Sequence, residues 1–151
     1  MTSQKREFAQ WEAMIAAPLV KEFEGLKLEA YLCPAGVPTI GYGHTGGVRL
    51  GERVTKDQAD RMLTEDLEKF KLQMRKYVKV PVTRGQFIAL MDFCFNFGAT
   101  KLRGSTLLKY LNLGREDLAA NEFHKWKYSN GKVLEGLVKR RAREEEIFRN
   151  A

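Results

Sequence analysis

Apolar residues recur every three or four positions over most of this chain, and the places where the rhythm breaks divide it. From about Lys5 to Glu24, Phe8, Trp11, Ile15, Leu19 and Phe23 keep helical spacing. Pro18 falls inside that run and predicts a break, because proline has no amide to donate. The reading is a leading helix to about Ala17 and a second helix from Pro18, a residue suited to a first helical position. Gly25 is well placed to cap its C-terminus. The helical period returns at Thr55-Lys56-Asp57-Gln58, which has the form of a capping box. Ala59, Met62, Leu63, Leu67, Phe70, Met74 and Tyr77 follow at helical spacing. This helix is expected to reach Lys79 and to span roughly 37 Å.

Val80-Pro81-Val82 interrupts the pattern, and Thr83-Arg84-Gly85-Gln86 repeats the capping box. Phe87, Leu90, Met91, Cys94 and Phe97 then mark the most apolar helix, ended by Gly98. Ser105 is expected to cap a short helix through Leu111, which Gly114 stops. A further helix is expected from Asp117 to Lys127, a turn at Ser129-Asn130-Gly131, and a last helix from Glu135 or Gly136 to Phe148.

Between Gly25 and Arg53 the period shortens and glycines accumulate. Strands are predicted at Lys27–Leu32 and Thr39–Gly43, with a weaker third at Val48–Leu50. Cys33-Pro34-Ala35-Gly36 reads as the turn between the first two. The fold class is therefore α+β and mostly α. A small antiparallel β lobe (about 25–54) is joined by a long helix (about 55–79) to a helical lobe (about 80–151). The N-terminal helix (5–24) belongs with that helical lobe, and the whole is one domain.

Composition changes this picture little, but charge adds to it. At 151 residues and 44% hydrophobic, the chain can bury a real core. A net charge of +7 implies an anionic partner or surface. With no helix-turn-helix or zinc pattern, nucleic acid is not the expected partner. The run Met14 to Val20 is too short to span a bilayer, so no stable membrane insertion is expected. Two cysteines, Cys33 and Cys94, make no disulfide framework. With two histidines and no Cys-x-x-Cys, neither a metal nor a cofactor is expected.

The glycine-rich insertion carries the candidate chemistry. Eight residues separate Glu24 from Cys33, and five separate Cys33 from Thr39. Glu24 ends a helix, where the dipole and the flanking Phe23 and Leu26 disfavour a negative charge, as suits a general acid. The hairpin would fold Cys33 and Thr39 back toward that helix end. Glycine-lined His44 either pins the sheet through hydrogen bonds or takes part directly. From Lys125 onward stand eight Lys or Arg residues and four Glu. They are read as a basic wall beside the cleft, with Arg140 and Arg141 best placed to orient an acidic group such as Glu24.

Glu-x8-Cys-x5-Thr, with Phe-Glu-Gly before it and Gly-Tyr-Gly-His-Thr after it, resembles the signature of the phage lysozyme family, glycoside hydrolase family 24. Phe95-Asn96-Phe97-Gly98, Ser105-Thr106-Leu107-Leu108, Phe123-His124-Lys125-Trp126 and Gly136-Leu137-Val138-Lys139-Arg140-Arg141 are similar to later pieces of the family. Pro38 stands where many relatives carry an aromatic residue.

The resemblance implies an endolysin that hydrolyses the bond between N-acetylmuramic acid and N-acetylglucosamine in bacterial peptidoglycan. Glu24 would protonate the leaving oxygen, while Cys33 and Thr39 would position or activate water. His44, Arg140 and Arg141 would contact substrate or support those three. The enzyme is expected to be a monomer that waits in the host cytoplasm and reaches the wall after membrane permeabilisation. A lytic transglycosylase on the same bond, or a non-catalytic binder of anionic polymers, are the alternatives.

Overall fold

The computed structural model describes residues 4–150. Its order of elements is set by caps and turns that the local sequence supplies. Strand β1 (Lys5–Arg6) is followed by two 3-10 turns, Phe8–Gln10 and Ala13–Ala16, and by helix α1 (Ala17–Glu24). The hairpin β2 (Lys27–Leu32) and β3 (Pro38–Gly41) comes next, then the long helix α2 (Lys56–Met74). Strand β4 (Val82–Thr83) leads into α3 (Arg84–Phe97), α4 (Ala99–Arg103), α5 (Thr106–Asn112) and α6 (Glu116–Glu122). A second hairpin, β5 (Tyr128–Ser129) and β6 (Lys132–Val133), precedes α7 (Glu135–Arg149). The architecture is α+β, mostly helical, with small antiparallel sheets. No helix among the described residues is long and apolar enough to cross a membrane.

The leading helix expected before Pro18 does not form. Lys5 and Arg6 pair instead with Thr83 and Val82, and Trp11 donates its indole N–H to the Val82 carbonyl at 3.0 Å. Trp11 and Glu12 are extended, which separates the two 3-10 turns. The spacing of Phe8 and Trp11 survives because a 3-10 helix repeats every three residues. Periodicity alone does not separate that from the first turns of an α-helix. The second part of the expectation holds: Pro18 sits in the first turn of α1, and Gly25 caps its end with φ 68°.

Both capping boxes form. Thr55 and Gln58 close the start of α2, and Thr83 and Gln86 the start of α3. Helix α2 stops at Met74 rather than Lys79. Asn112 on α5 explains the early end: its side chain accepts from the Lys79 amide and donates to the Tyr77 carbonyl, both at 2.8 Å. The third strand proposed at Val48–Leu50 is also absent. The chain makes its contact with β2 slightly later, through Ala30 N–H to Glu52 O at 3.0 Å and Val54 N–H to Leu28 O at 2.9 Å. The expected turn at Asn130-Gly131 tightens into the β5–β6 hairpin, with φ 51° and 77°. Such a two-residue loop with both central residues at positive φ favours Asn-Gly.

The core lies around α3, whose Phe87, Leu90, Met91, Phe93 and Cys94 are fully buried. Phe93 meets Phe97, Phe123 and Trp126 at 5.0–6.1 Å between ring centroids. Such tilted and edge-on contacts suit aromatic rings. Helix α7 packs along α3, and α2 runs from the β2–β3 hairpin to the rest of the helices. A cleft opens where α1, the hairpin, α2 and α3 meet.

Candidate active site

Four elements build this cleft. The last turn of α1 delivers Glu24, and Gly25 lets the chain leave at an angle that an L side chain rarely adopts. The hairpin turn is closed by Cys33 N–H to Val37 O at 3.0 Å and by Gly36 N–H to Cys33 O at 2.8 Å. Tyr31 pairs with Thr39 across the strands. Together with Gly43, His44, Asp66, Lys69, Phe70, Phe95 and Asn96, residues Glu24, Tyr31, Cys33 and Thr39 line one cavity of about 460 Å³. The Glu-Cys-Thr spacing in sequence thus becomes one cavity wall in space.

Glu24 is held on one side only. Arg140 on α7 donates through Nη1 to Oε2 at 2.6 Å. The other oxygen, Oε1, lies against Gly43: a Cβ built there would stand 2.6 Å from Oε1 and 3.2 Å from the Phe95 ring. A glycine is therefore required at this position both for its φ of 73° and for space. Oε1 is the oxygen left available to the cavity.

Arg140 is itself anchored. Its Nε and Nη2 donate to the two oxygens of Asp92 at 2.9 and 2.8 Å. Asp92 lies on α3 and is fully buried. Burial opposes its charge, but hydrogen bonds with Glu144 and Arg140 outweigh that and hold its carboxyl below the usual range. Glu144, also fully buried, is pushed up by burial and by its bond to Asp92, with Arg141 opposing. Beyond Glu144, Arg141 donates to both its oxygens at 2.6 and 2.8 Å and lies over the rings of Phe93 and Phe97. Arg141 does not reach the cavity. Expected beside the cleft, it is a core residue, because the helical step from Arg140 turns it toward the aromatic cluster.

His44 is fixed by both ring nitrogens, Nδ1 to Asp66 at 2.7 Å and Nε2 to the Gly46 carbonyl at 3.0 Å. Its backbone bridges Ile40. The ring therefore ties the end of β3 to α2 at the cavity edge. The basic wall expected from Lys125 onward is largely neutralised. Lys125 pairs with Glu122, Lys139 with Glu135, Arg143 with Glu146 and Arg149 with Glu145.

Cys33 is partly exposed, and its surroundings favour thiolate. The backbone at Val37 lowers the thiol below its ordinary value; burial opposes this, and the Ala35 backbone and the Thr39 hydroxyl assist it. Thr39 has one hydroxyl proton, and the geometry directs it to the Val37 carbonyl at 2.9 Å. Rotation of that hydroxyl would serve Cys33 instead. Cys94, in contrast, is pushed up to about 12 by burial. Burial likewise raises Tyr31, with the charges of Glu24 and Cys33 adding to it.

The model of a family described as phage lysozyme matches residues 21–144, which span every residue of this cavity. The chain belongs to the phage lysozyme family. It is 43% identical over 137 residues to the endolysin of Acyrthosiphon pisum secondary endosymbiont phage 1, covering 88% of this chain and 94% of that protein. It is 48% identical to the endolysin of Bacillus phage PZA over 86% of this chain, and spans about half of that relative's length, 52%. The solved endolysin from Escherichia coli O157:H7 phage FAHEc1 superposes with a TM-score of 0.82 at 37% identity, over 92% of this chain and 93% of that one. The muramidase domain of SpmX from Asticaccaulis excentricus gives 0.81 at 40% identity, over 88% and 93%. This phage lysozyme is thus a glycoside hydrolase with a lysozyme-like fold.

Sequence reading did not single out Tyr31, Asp66, Lys69, Asp92 or Asn96 for the site. Asp92 offered a signal: it is the one acid between Phe87 and Phe97 in the most apolar helix, and a buried acid needs a partner. Asn96 sat in a quoted motif without a role. Asp66 gives no local sign, since its partner His44 is 22 residues away.

Two outcomes follow for this site. Gly43→Ala should lower lytic activity by at least tenfold, because the new methyl displaces Glu24. Gly47→Ala, at a similar φ of 67° but in open space, should cost about 1 kcal/mol of stability and leave activity near wild type. Turbidity-clearing rates and thermal unfolding of both variants measure this. In the folded enzyme, iodoacetamide should label Cys33 alone, with a pH midpoint below that of a free thiol, since a lowered pKa exposes thiolate at lower pH. Cys94 should label only after denaturation.

Proposed function

We propose that Glu24, Cys33 and Thr39 carry out the hydrolysis of the glycosidic bond between N-acetylmuramic acid and N-acetylglucosamine in peptidoglycan. Glu24 gives its proton through Oε1 to the leaving sugar oxygen. Water adds to the anomeric carbon, and its proton passes to Cys33, whose thiolate the hairpin backbone favours. Thr39 aims that water through its hydroxyl. The observation that carries this reading is the asymmetry at Glu24, with one oxygen tied to Arg140 at 2.6 Å and the other facing the cavity beside the hairpin.

Other residues have supporting parts in the same reading. Arg140 fixes the rotamer of Glu24, and His44 fixes the cavity edge. Arg141 acts only through Glu144 and the core. The Oδ1 of Asn96 is buried without a hydrogen-bond partner. The residue lines the cavity, but this oxygen is covered in the free enzyme. Names of the relatives support a role in host lysis. An enzyme for that purpose must be kept from the wall until needed. Accumulation as a monomer in the host cytoplasm until the membrane is permeabilised completes the proposal.

A thiol in place of a second carboxylate favours one rival, transglycosylation, in which the muramic acid closes on itself and no water is used. Mass spectrometry of digested peptidoglycan separates the two by the water added to the new reducing end. Glu24→Gln keeps the shape and the contact with Arg140, yet should lower lysis by roughly two to four powers of ten. Cys33→Asp should retain substantial activity, and Cys33→Ala should lose most of it. A folded Glu24→Gln enzyme with wild-type rate, or Cys33→Ala with wild-type rate, would overturn these assignments. Anhydro-muramic products would replace hydrolysis with the rival.

A further inference from the structure

Glu24 has no slack on its Gly43 side, so its aim depends on how the end of α1 sits against the turn at Tyr42-Gly43. Ile40 and His44 lock that turn with two backbone hydrogen bonds of 2.9 Å. Arg140 holds the other oxygen of Glu24 from α7. A second tie runs from α1 to the turn itself, and Lys21 makes it.

Lys21 precedes Glu24 by three residues, so the two are neighbours on the surface of α1. Its ammonium lies 5.0 Å from the centroid of the Tyr42 ring, and Tyr42 is the residue next to Gly43. The same ammonium stands 3.1 Å from Oδ1 of Asp60, near the start of α2. One charge therefore joins the last turn of α1, the turn after β3 and the first turns of α2. The turn already rests on α2 at this place. Tyr42 is buried, and a Cβ built on Gly41 would stand 3.3 Å from the Cβ of Ala59, the neighbour of Asp60.

Asp60 has two lysines, and they differ in what they join. Lys56 comes from the same helix, four residues earlier, and donates to Oδ2 at 3.0 Å. Such a pair supports its own helix and positions nothing else. Lys21 crosses from α1 and stands beside Oδ1, which is buried and accepts no hydrogen bond. Removing Lys21 leaves that oxygen without its neighbouring charge. A partly exposed ion pair adds little to stability. Its contribution here is direction, because an ammonium between a ring face and a carboxylate has one preferred position.

We propose that Lys21 is a positioning residue for Glu24, acting through its joint contact with Asp60 and Tyr42. The proposal rests on the reading of Glu24 as the acid that protonates the leaving oxygen. Arg140 holds the carboxylate from the helical side, and Lys21 holds the same helix end against the turn at Gly43. Oε1 then keeps both its place beside Gly43 and its aim into the cavity. Without the ammonium, α1 loses its charged tie to α2 and the carboxyl group shifts from the leaving oxygen. A misplacement of about 1 Å can cost about a hundredfold in rate. Lys21 is not among the residues that line the cavity, so the loss falls on kcat and spares KM.

The test measures kcat and KM on soluble peptidoglycan strands for Lys21→Met, Lys21→Arg, Lys56→Gln and Glu24→Gln, at a temperature where all four are folded by circular dichroism. Lys21→Met keeps an apolar stem over Tyr42 and removes the charge. Its kcat should fall about tenfold, with KM within about twofold of wild type. Lys21→Arg restores a cation that can pair with Asp60 and stack on Tyr42, and its kcat should return to within about threefold of wild type. Lys56→Gln removes the other ion pair of Asp60 and should leave kcat unchanged. A wild-type kcat in Lys21→Met would overturn the proposal. So would an equal fall in Lys56→Gln, or a fall in Lys21→Arg as deep as in Lys21→Met, because either would make the loss one of general stability or packing. A wild-type rate in Glu24→Gln would instead overturn the reading of Glu24 on which the proposal rests.

Discussion

Arg140 is the contact on which the cleft depends. It spends two donors on Asp92 and one on Glu24, and so ties the end of α1 to α3 from a position on α7. Its own side chain is only 6% exposed. A guanidinium suits that task, because its planar fork serves two carboxylates at fixed angles, which a lysine does not. Buried charge is costly unless paired. The ion pairs Glu24–Arg140–Asp92 and Arg141–Glu144 meet that requirement for two arginines and three acids. A break at any member strands a charge in the core.

The backbone prepares what this ion chain then locks. Gly25 ends α1 so that Glu24 is its last side chain, and Gly43 leaves the volume that Oε1 occupies. The hairpin turn brings Cys33 to the same cavity without any help from the core. Chemistry at this site is thus assembled from one helix end, one turn and one remote arginine.

Much of this was legible in the sequence where a local rule was sufficient. Thr55 and Thr83 with their glutamines marked two helix starts, and Gly25 and Gly98 two ends, because capping is decided within four residues. The Glu-Cys-Thr spacing marked the cavity wall. What failed to show depended on distant partners. The stretch before Pro18 keeps helical spacing yet pairs with Val82 and Thr83. Helix α2 ends early through Asn112, 35 residues from its Tyr77 contact. Arg140 and Arg141 are neighbours of the same type, and only the angle of α7 against α3 decides that one meets Glu24 and the other meets Glu144. The charge of the C-terminal segment suggested a basic wall because sequence counts cations without showing their partners.

The most direct test of this account is the turnover of Asp92→Asn, measured where both proteins are fully folded. Asparagine keeps the shape but not the charge that fixes Arg140. The account predicts stability lowered by about 3 kcal/mol, a kcat reduced at least tenfold and a KM little changed, since Asp92 touches no substrate. A wild-type kcat in the folded Asp92→Asn enzyme would contradict it, because Glu24 would then be held in place without the buried ion chain.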